Sequence, residues 1–332
     1  MTTDYYLSYD LVNEEIMFTK NADELISPAS LTKLMTALLI VDSYNLGDFI
    51  EINFPEEYVY EGKVAYLESG QQMTVESLLE FILVYSANDA CIAASMIVSG
   101  GVDEFINLMN NKAVNLGMNN TNFSNPDGLD SDNHFTSLND LLVLSKEVLK
   151  NIELLTIIMK PSFISNIEGS DKVYLNTNKL IEKNYLGLKT GWTNKAGLTF
   201  IGINQSNNRD ILTIVNKSTV NDNKDNHFSD TEILYTVSID TFKNNILLET
   251  NEDVYIIRNG ITTSTIKNNE SWIVFGNRYT ENKISLDAVD ENKIELKVNE
   301  SSHNIKIPKS INKKIWKFDF TKFLYFNANQ NT

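Results

Sequence analysis

Cysteine and histidine are scarce in this chain of 332 residues. Cys91 is the only cysteine, and the three histidines lie far apart in the sequence, at His134, His227 and His303. A single cysteine excludes an intramolecular disulfide framework, and it also excludes a metal site built from cysteine ligands. We therefore expect neither kind of covalent or metal cross-link in this protein.

Positive charge is scarce as well, with 28 lysines and arginines against 44 aspartates and glutamates. The formal net charge of −16 disfavours broad electrostatic binding to a polyanion, so we predict no nucleic-acid partner. An anionic substrate would have to be bound by a few local cations. Each lysine in a special position is therefore informative.

Long hydrophobic runs are also missing. No segment approaches the ~20 apolar residues that span a membrane, and the first ten residues, MTTDYYLSYD, lack the basic and apolar regions of a signal peptide. The composition, 42% hydrophobic and 22% charged, is typical of a globular protein. The length suits one large domain and one small domain.

The pattern of the chain predicts a cluster of helices flanked by strands. A β-hairpin is predicted over residues 4–19, and three strands are predicted in the segments YLGLKTG, GLTFIGIN and DILTIVN between residues 185 and 216. Ser27 and Ser229 are predicted as helix N-caps, the second within a capping box. The predicted helices begin at Ser27, Thr74, Asp89, Val102 and Ser229.

After about residue 244 the pattern changes to short alternating strands. We predict a large domain over 1–243, a small β domain over 244–308 and a tail over 309–332. The tail, KSINKKIWKFDFTKFLYF and the residues after it, carries lysines and apolar residues near one helical face. It is predicted either to contact a membrane surface or to pack on the preceding domain, and the sequence leaves both alternatives open.

Ser30 and Lys33 form the first candidate site. The Ser-x-x-Lys pattern also occurs at Ser264 and Ser310, so the pattern alone is weak. Only Ser30 lies at the start of an apolar helix, where free backbone N–H groups could stabilise an oxyanion. Lys33 lies on the same helix face, and its apolar surroundings would favour a neutral amine that could accept a proton. The alternative is a lysine that reaches the surface from the flank of the helix.

Ser86 and Asn88 form the second candidate. Ser-x-Asn occurs seven times in the chain, and only placement can distinguish the copies. Ser86 lies at the break between two apolar helices, where a hydroxyl and an amide would be held inside the protein. Ser131, which begins another copy, is surrounded by turn-forming residues and is better explained as part of a solvated turn.

Lys189, Thr190 and Gly191 form the third candidate, and this tripeptide occurs only once. A lysine and a hydroxyl can bind a carboxylate, and a glycine allows a substrate backbone to approach closely. The strand edge could pair with an extended peptide. When it stands alone, a tripeptide of this kind is more often the ordinary transition from a strand to a turn.

Together, the three motifs in this order and spacing resemble those of the low-molecular-mass penicillin-binding proteins, the serine D-alanyl-D-alanine carboxypeptidases. The resemblance extends over about Tyr5 to Phe242 and includes the longer segments NADELISPASLTKLMTALL, SANDACIAA and GLKTGWTNKAG. It implies an α/β (α+β) fold: a serine β-lactamase/DD-peptidase-like domain with an antiparallel sheet flanked by a helical cluster, followed by a small C-terminal all-β domain.

The resemblance also implies the catalytic roles. Ser30 would be the acylated nucleophile and Lys33 would accept its proton. Ser86 would pass a proton to the leaving D-alanine, and Asn88 would hold the substrate amide and Lys33. This acyl transfer needs no metal or cofactor.

The resemblance assigns substrate-binding roles to the third motif. Lys189 would support the electrostatic field, Thr190 would bind the terminal carboxylate, and the N–H groups of Ser30 and Trp192 would form an oxyanion hole. Similar enzymes often carry an arginine before the last helix of this domain, but here that region reads NDNKDNHFSD. Lys224 and His227 are the two candidates to replace it, and the alternative is a site that binds the substrate carboxylate less firmly.

The implied activity is removal of the terminal D-alanine from peptidoglycan stem pentapeptides, with inhibition by β-lactams. Peptidoglycan endopeptidase activity stays open, whereas a class A β-lactamase would need a glutamate that is missing between Glu104 and Glu147. A non-catalytic penicillin sensor would tolerate damaged motifs, and none is damaged. The implied location is extracytoplasmic, with the leader removed or missing from this sequence.

Overall fold

A computed structural model describes residues 1–166, 171–183, 185–206 and 209–248, together with six strands between residues 253 and 306. Side chains are described in the same ranges up to residue 242, apart from Ser206. The chain divides into two compact units, Met1–Ser238 and Ile239–Thr332.

The first unit is built on a five-stranded antiparallel sheet with the strand order β2-β1-β9-β8-β7. The strands of this unit are β1 (Tyr5–Asp10), β2 (Glu15–Lys20), β3 (Phe49–Glu51), β4 (Gln72–Thr74), β5 (Ser162–Asn166), β6 (Asp171–Leu175), β7 (Tyr185–Thr193), β8 (Gly197–Ser206) and β9 (Arg209–Ser218). Residues 211–216 of the central strand β9 are all buried. Because successive side chains of a strand point to opposite faces, both faces of the sheet are covered here. The predicted hairpin and the three later strands are confirmed.

Helices make up the rest of the first unit. They are α1 (Lys33–Val41), α2 (Val75–Glu80), α3 (Asn88–Ser99), α4 (Val102–Leu116), α5 (Leu138–Val148), α6 (Ile152–Ile158) and α7 (Asn226–Thr241). Helix α1 is central: residues 33–40 are all buried, and the helix packs against α3, α4 and α5. The predicted α/β (α+β) class, with an antiparallel sheet and a helical cluster, is confirmed.

One predicted helix start is confirmed by its capping contact. Thr74 precedes α2, and its hydroxyl accepts a hydrogen bond from the N–H of Ser77 at 3.2 Å. This contact satisfies one of the backbone donors that the first turn of a helix leaves unpaired. It is a local interaction, which is why the sequence alone predicted it.

The predicted N-cap at Ser27 is wrong. The Ser27 hydroxyl instead donates a hydrogen bond to Oδ1 of Asp130 at 3.0 Å, and Asp130 is far from Ser27 in the sequence. Ala29 has a positive φ of 49°, so the chain turns sharply after Ser27, and a 3₁₀ turn over Ala29–Thr32 leads into α1.

The predicted capping box at Ser229 is also wrong, because α7 already begins at Asn226 and Ser229 lies inside it. The capping box predicts a helix with Ile233, Leu234, Val237 and Phe242 on one side. In the structure Leu234 is buried, Ile233 and Val237 are each 44% exposed, and Phe242 belongs to the next strand.

In the second unit, the described residues after residue 241 form strands. They are β10 (Phe242–Leu248), β11 (Asp253–Arg258), β12 (Ile261–Lys267), β13 (Trp272–Asn277), β14 (Ile284–Asp290), β15 (Lys293–Val298) and β16 (Ser301–Lys306). They pair as β10-β13, β11-β12 and β14-β15-β16, all antiparallel. The predicted domain bounds at 243/244 and 308/309 stay a prediction, and the tail lies outside the described residues.

No single helix among these elements has the length and hydropathy to cross a membrane. Helices α3 and α4 pass that test only when they are taken together, and they are bent by 86° at the break between them.

Candidate active site

Ser30 and Lys33 lie at the junction of the 3₁₀ turn and α1. In a 3₁₀ turn the side chains of residues i and i+3 lie directly above one another. Lys33 Nζ is accordingly 3.0 Å from Ser30 Oγ. A serine hydroxyl within hydrogen-bond distance of an amine is the arrangement of an activated nucleophile and its base.

Lys33 is completely buried, and its amine has three acceptors around it. These are Ser30 Oγ at 3.0 Å, Asn88 Oδ1 at 2.8 Å and the carbonyl oxygen of Asp127 at 2.5 Å. The amide and carbonyl oxygens can only accept, so they hold two N–H groups of the amine. The third position, either an N–H or a lone pair, is directed at the serine hydroxyl. The geometry therefore suits proton transfer from Ser30 to Lys33.

The carboxyl group of Asp127 adds a second buried titratable group beside the amine. Burial raises the pKa of Asp127, and the nearby Lys33 partly opposes this shift. Its side chain accepts a hydrogen bond from the N–H of Leu129 at 3.1 Å. The carboxyl group is therefore bound by the backbone of its own loop, while the carbonyl of the same residue accepts a hydrogen bond from Lys33.

Ser86 and Asn88 lie where the second and third helices meet. A π-helical turn over Phe81–Tyr85 continues α2, and Ser86 ends it in the left-handed conformation, with φ 71° and ψ 37°. This conformation costs a non-glycine residue about 1–2 kcal/mol, and it reverses the chain so that α3 begins at Asn88. Strain at a polar, largely buried serine is typical of functional sites.

Gly191 brings strand β7 against the serine turn. A Cβ atom at this position would lie 3.0 Å from the backbone N of Ser30 and 2.8 Å from Thr199 Cγ2. A larger residue would therefore push the strand away from Ser30. The backbone of Ser30 and strand β7 therefore come together here, while the oxyanion hole of the Ser30 and Trp192 N–H groups stays a prediction.

Lys189 and Thr190 precede this contact and are both buried. Lys189 Nζ donates to the carbonyl of Thr190 at 3.2 Å, and Thr190 Oγ1 donates to Thr177 Oγ1 at 2.7 Å. Desolvation, followed by the charges of Lys33 and Lys63, holds the pKa of Lys189 well below its ordinary value. The predicted third motif thus lies within electrostatic range of the first.

Trp192 follows the tripeptide, is 44% exposed, and has Lys224 Nζ 3.8 Å from the centre of its ring. This contact is a cation–π interaction at the surface. His227, by contrast, is buried between Phe200 and Phe228. Burial lowers the pKa of His227 to about 4, so its ring is neutral at pH 7. Of the two candidates to replace the arginine, only Lys224 is an exposed cation.

Three residues that contact this site belong to none of the three sequence motifs. Asp127 and Lys63 contact the motif residues through their backbone carbonyls, and Thr177 contacts Thr190 through its hydroxyl. A backbone contact leaves no signal in residue type, so the sequence did not indicate Asp127 or Lys63. The contact of Thr177 joins two segments 13 residues apart in the sequence, and a single threonine forms no motif. Of the other Ser-x-x-Lys copies, Ser264 lies in β12 and Ser310 lies outside the described residues. In the described part of the chain, no three His, Cys, Asp or Glu side chains converge in a metal-binding group.

Comparison with known proteins gives consistent matches. The family model described as D-alanyl-D-alanine carboxypeptidase, peptidase family S11, matches residues 1–219. The D-alanyl-D-alanine carboxypeptidase DacF of Bacillus subtilis (strain 168) is 36% identical over 190 residues, which are 55% of this chain and 49% of DacF. The chain thus spans about half the length of the curated relatives that it matches.

Solved structures share the fold. The D-alanyl-D-alanine carboxypeptidase DacD from Francisella tularensis matches with a TM-score of 0.73 at 20% identity, over 92% of this chain and 91% of that one. Penicillin-binding protein D2 from Listeria monocytogenes, in its cefotaxime-bound form, matches with a TM-score of 0.62 at 28% identity, over 72% of this chain and 98% of that one.

Proposed function

The chain belongs to the D-alanyl-D-alanine carboxypeptidase family S11, and from this premise we propose that it is a serine-type carboxypeptidase. It removes the terminal D-alanine from peptidoglycan stem pentapeptides through an acyl-enzyme, and β-lactams inhibit it. The observation that carries the proposal is the 3.0 Å contact between Ser30 Oγ and the buried amine of Lys33.

The proposed reaction begins with transfer of the Ser30 proton to Lys33. The serine oxygen then attacks the carbonyl carbon of the penultimate D-alanine, and the N–H groups of Ser30 and Trp192 stabilise the negative charge that develops on the carbonyl oxygen. The peptide C–N bond breaks, and Ser86 relays the proton from Lys33 to the leaving amine, so that Lys33 is neutral again. Water then hydrolyses the ester and restores the serine.

Asn88 has two tasks in this proposal. Its Oδ1 accepts a hydrogen bond from Lys33, and its Nδ2 donates to the carbonyl of Glu61 at 2.9 Å. The side chain is therefore fixed at both ends, and a substrate amide would meet a rigid partner. Because the asparagine is already positioned, less entropy is lost when the substrate binds.

We assign the terminal carboxylate to Thr190 and Lys224. Lys224 is held over the Trp192 ring beside β7, whereas the neutral, buried His227 cannot supply a positive charge. This assignment fits the replacement of the arginine that similar enzymes carry. Lys189 contributes to the field around the site from its buried position.

The proposed partners are peptidoglycan stem peptides and β-lactams. Penicillin-binding protein D2 from Listeria monocytogenes has been solved in cefotaxime-bound and ampicillin-bound forms, which supports β-lactam binding by this related chain. Because peptidoglycan lies outside the cytoplasmic membrane, the proposed location is extracytoplasmic. Membrane contact through residues 309–332 stays a prediction.

The test is release of D-alanine from an acyl-L-lysyl-D-alanyl-D-alanine peptide. Wild type is expected to release it, and Ser30→Ala is expected to release none. The matched control is Ser131→Ala, which removes a serine from a solvated turn and should keep full activity. Cleavage of cross-linked dimers without D-alanine release would instead assign the site to an endopeptidase, and activity in Ser30→Ala would refute the proposed nucleophile.

A further inference from the structure

The carboxylate of Asp130 joins two segments that meet at the candidate active site. Its Oδ1 accepts a hydrogen bond from the Ser27 hydroxyl at 3.0 Å, and its Oδ2 accepts one from the backbone N–H of Lys195 at 3.0 Å. Ser27 lies just before Ser30 in the chain, and Lys195 lies just after Trp192. One side chain is therefore bound to both segments that carry the N–H groups of the predicted oxyanion hole.

Both of these segments are irregular where Asp130 binds them. Ala29, which lies between Ser27 and Ser30, has φ 49°, so the chain turns sharply before the serine. The ladder between β7 and β8 ends at the pair Thr193 and Gly197, and Lys195 lies in the turn beyond it. Because neither segment is fixed at this point by a helix or a ladder, a side-chain partner contributes to its position.

The loop that carries Asp130 is itself anchored on α1. The amine of Lys33 donates to the carbonyl of Asp127 at 2.5 Å, and the hydroxyl of Thr36 donates to the carbonyl of Pro126 at 2.6 Å. Both donor residues are completely buried. The carboxylate of Asp130 therefore extends from a segment that is fixed relative to the proposed base.

Packing alone limits the spacing of the two segments in one direction only. A Cβ atom at Gly191 would lie 3.0 Å from the backbone N of Ser30 and 3.1 Å from Cβ of Ala29, so strand β7 and the serine turn are already in close contact. Their separation is opposed by van der Waals contacts of only about 0.1–0.2 kcal/mol each. A charged acceptor with one hydrogen bond to each segment opposes separation more strongly.

We propose that Asp130 is a positioning residue for the oxyanion hole. Its two hydrogen bonds, the Asp130 bridge, keep the serine turn and the β7–β8 turn at the spacing at which the N–H groups of Ser30 and Trp192 converge on one oxygen. The inference rests on the proposed function, in which these two N–H groups stabilise the oxyanion. Formation and hydrolysis of the acyl-enzyme both pass through an oxyanion, so loss of the bridge slows both steps.

The first test compares Asp130→Ala with wild type in D-alanine release, with each kcat normalised to the amount of enzyme that benzylpenicillin acylates. Asp130→Ala is expected to lower kcat about tenfold and to change KM by less than about twofold, because the oxyanion forms in the transition state and not in the bound substrate. Asp130→Asn should lose less, since its amide oxygen still accepts one of the two hydrogen bonds. An unchanged kcat in Asp130→Ala, or a loss confined to KM, would overturn the inference.

Two further variants locate the effect at the bridge. Asp132→Ala is the matched control, because Asp132 lies in the same loop and forms an ion pair with Nζ of Lys195 instead of binding its backbone N–H. It should keep the wild-type kcat. Ser27→Ala should lower kcat in wild type and have no further effect in Asp130→Ala, since the two residues act through one contact. Equal losses in Asp132→Ala and Asp130→Ala, or additive losses in the double variant, would contradict the bridge.

Binding of a boronic acid separates this inference from the proposed function. A peptide boronic acid that adds to Ser30 Oγ places a boronate oxygen in the hole without turnover. Its affinity is expected to fall about tenfold in Asp130→Ala and to stay at the wild-type value in Asp132→Ala. That result without D-alanine release by wild type would refute only the proposed activity. Equal affinity in Asp130→Ala and wild type would refute the role of Asp130, whatever the activity.

Discussion

At the level of single residues, the two buried histidines of the described chain link the fold to pH. His134 accepts a hydrogen bond from the N–H of Ser124 at Nδ1, at 2.9 Å, and its Nε2 lies 2.8 Å from the hydroxyl of Thr32 in the serine turn. Because Nδ1 accepts, the proton must be on Nε2. Burial lowers the pKa of His134, and likewise that of His227, to about 4. Both rings are therefore neutral in the folded protein at pH 7.

These lowered pKa values predict an acid-sensitive fold. Between the ordinary histidine pKa of 6.5 and about 4, the unfolded chain binds more protons than the folded chain, so stability is full above the upper value and falls as the pH falls. His227→Phe should remove one of these two titrations and keep the packing against Phe200 and Phe228. Between pH 7 and pH 5, the free energy of unfolding should fall by about 2 kcal/mol less in this variant than in wild type.

Denaturant unfolding at the two pH values measures this difference. Most carboxylates stay ionised in this range, so the comparison between the two proteins isolates the histidine. An identical loss of stability in wild type and His227→Phe would show that His227 does not stay neutral on folding.

At the level of elements, the serine turn depends on the loop that lies against it. Gly128 has φ 90°, and a Cβ atom at this position would lie 2.0 Å from the carbonyl oxygen of Ala29 and 2.9 Å from the backbone N of Ser30. The preceding residue, Asp127, holds the Lys33 amine through its carbonyl. One close approach of two backbones therefore positions both the nucleophile and its base.

Gly128→Ala is expected to disturb both stability and activity. The left-handed φ and the backbone clash together should lower the free energy of unfolding by about 3 kcal/mol. Gly100→Ala is the matched control, because Gly100 has φ 77° but nothing within 4 Å of its Cβ position. It should lose only about 1 kcal/mol and keep wild-type acylation. Denaturant unfolding and penicillin acylation rates measure both effects, and equal losses in the two variants would argue against the close approach.

The sequence predicted those element boundaries that local contacts determine. Thr74 caps its helix through a neighbouring N–H, and the pattern was sufficient. Ser27 fits the same pattern, but its hydroxyl bonds to Asp130, and Ser229 fits it although α7 begins three residues earlier. A long-range partner or an earlier helix start changes the outcome without changing the local sequence.

At the level of the whole molecule, three distant chain segments form one site within the first unit. The sequence predicted this convergence because the order and spacing of the motifs match a known family. It did not predict the contact between Lys63 and Asn88, because a loop residue that makes its contact through the backbone has no pattern of its own. It also left the choice between Lys224 and His227 open, since only burial distinguishes the exposed cation from the neutral ring.

Three lysines lie close together in a chain that is acidic overall. The net charge is −16, yet the amines of Lys33, Lys63 and Lys189 are close enough to affect one another. Attraction of a peptide with carboxylates to this local positive region would act at short range, since salt screens interactions beyond about 10 Å. Recognition of the substrate is therefore expected to depend on these lysines rather than on the overall charge.

Acylation of Ser30 is tested most directly by intact-mass measurement after incubation with benzylpenicillin, for wild type and Ser30→Ala. Wild type is expected to gain the mass of one penicillin, and Ser30→Ala is expected to gain none while remaining folded by circular dichroism. An adduct that persists in Ser30→Ala would contradict the assignment of the nucleophile.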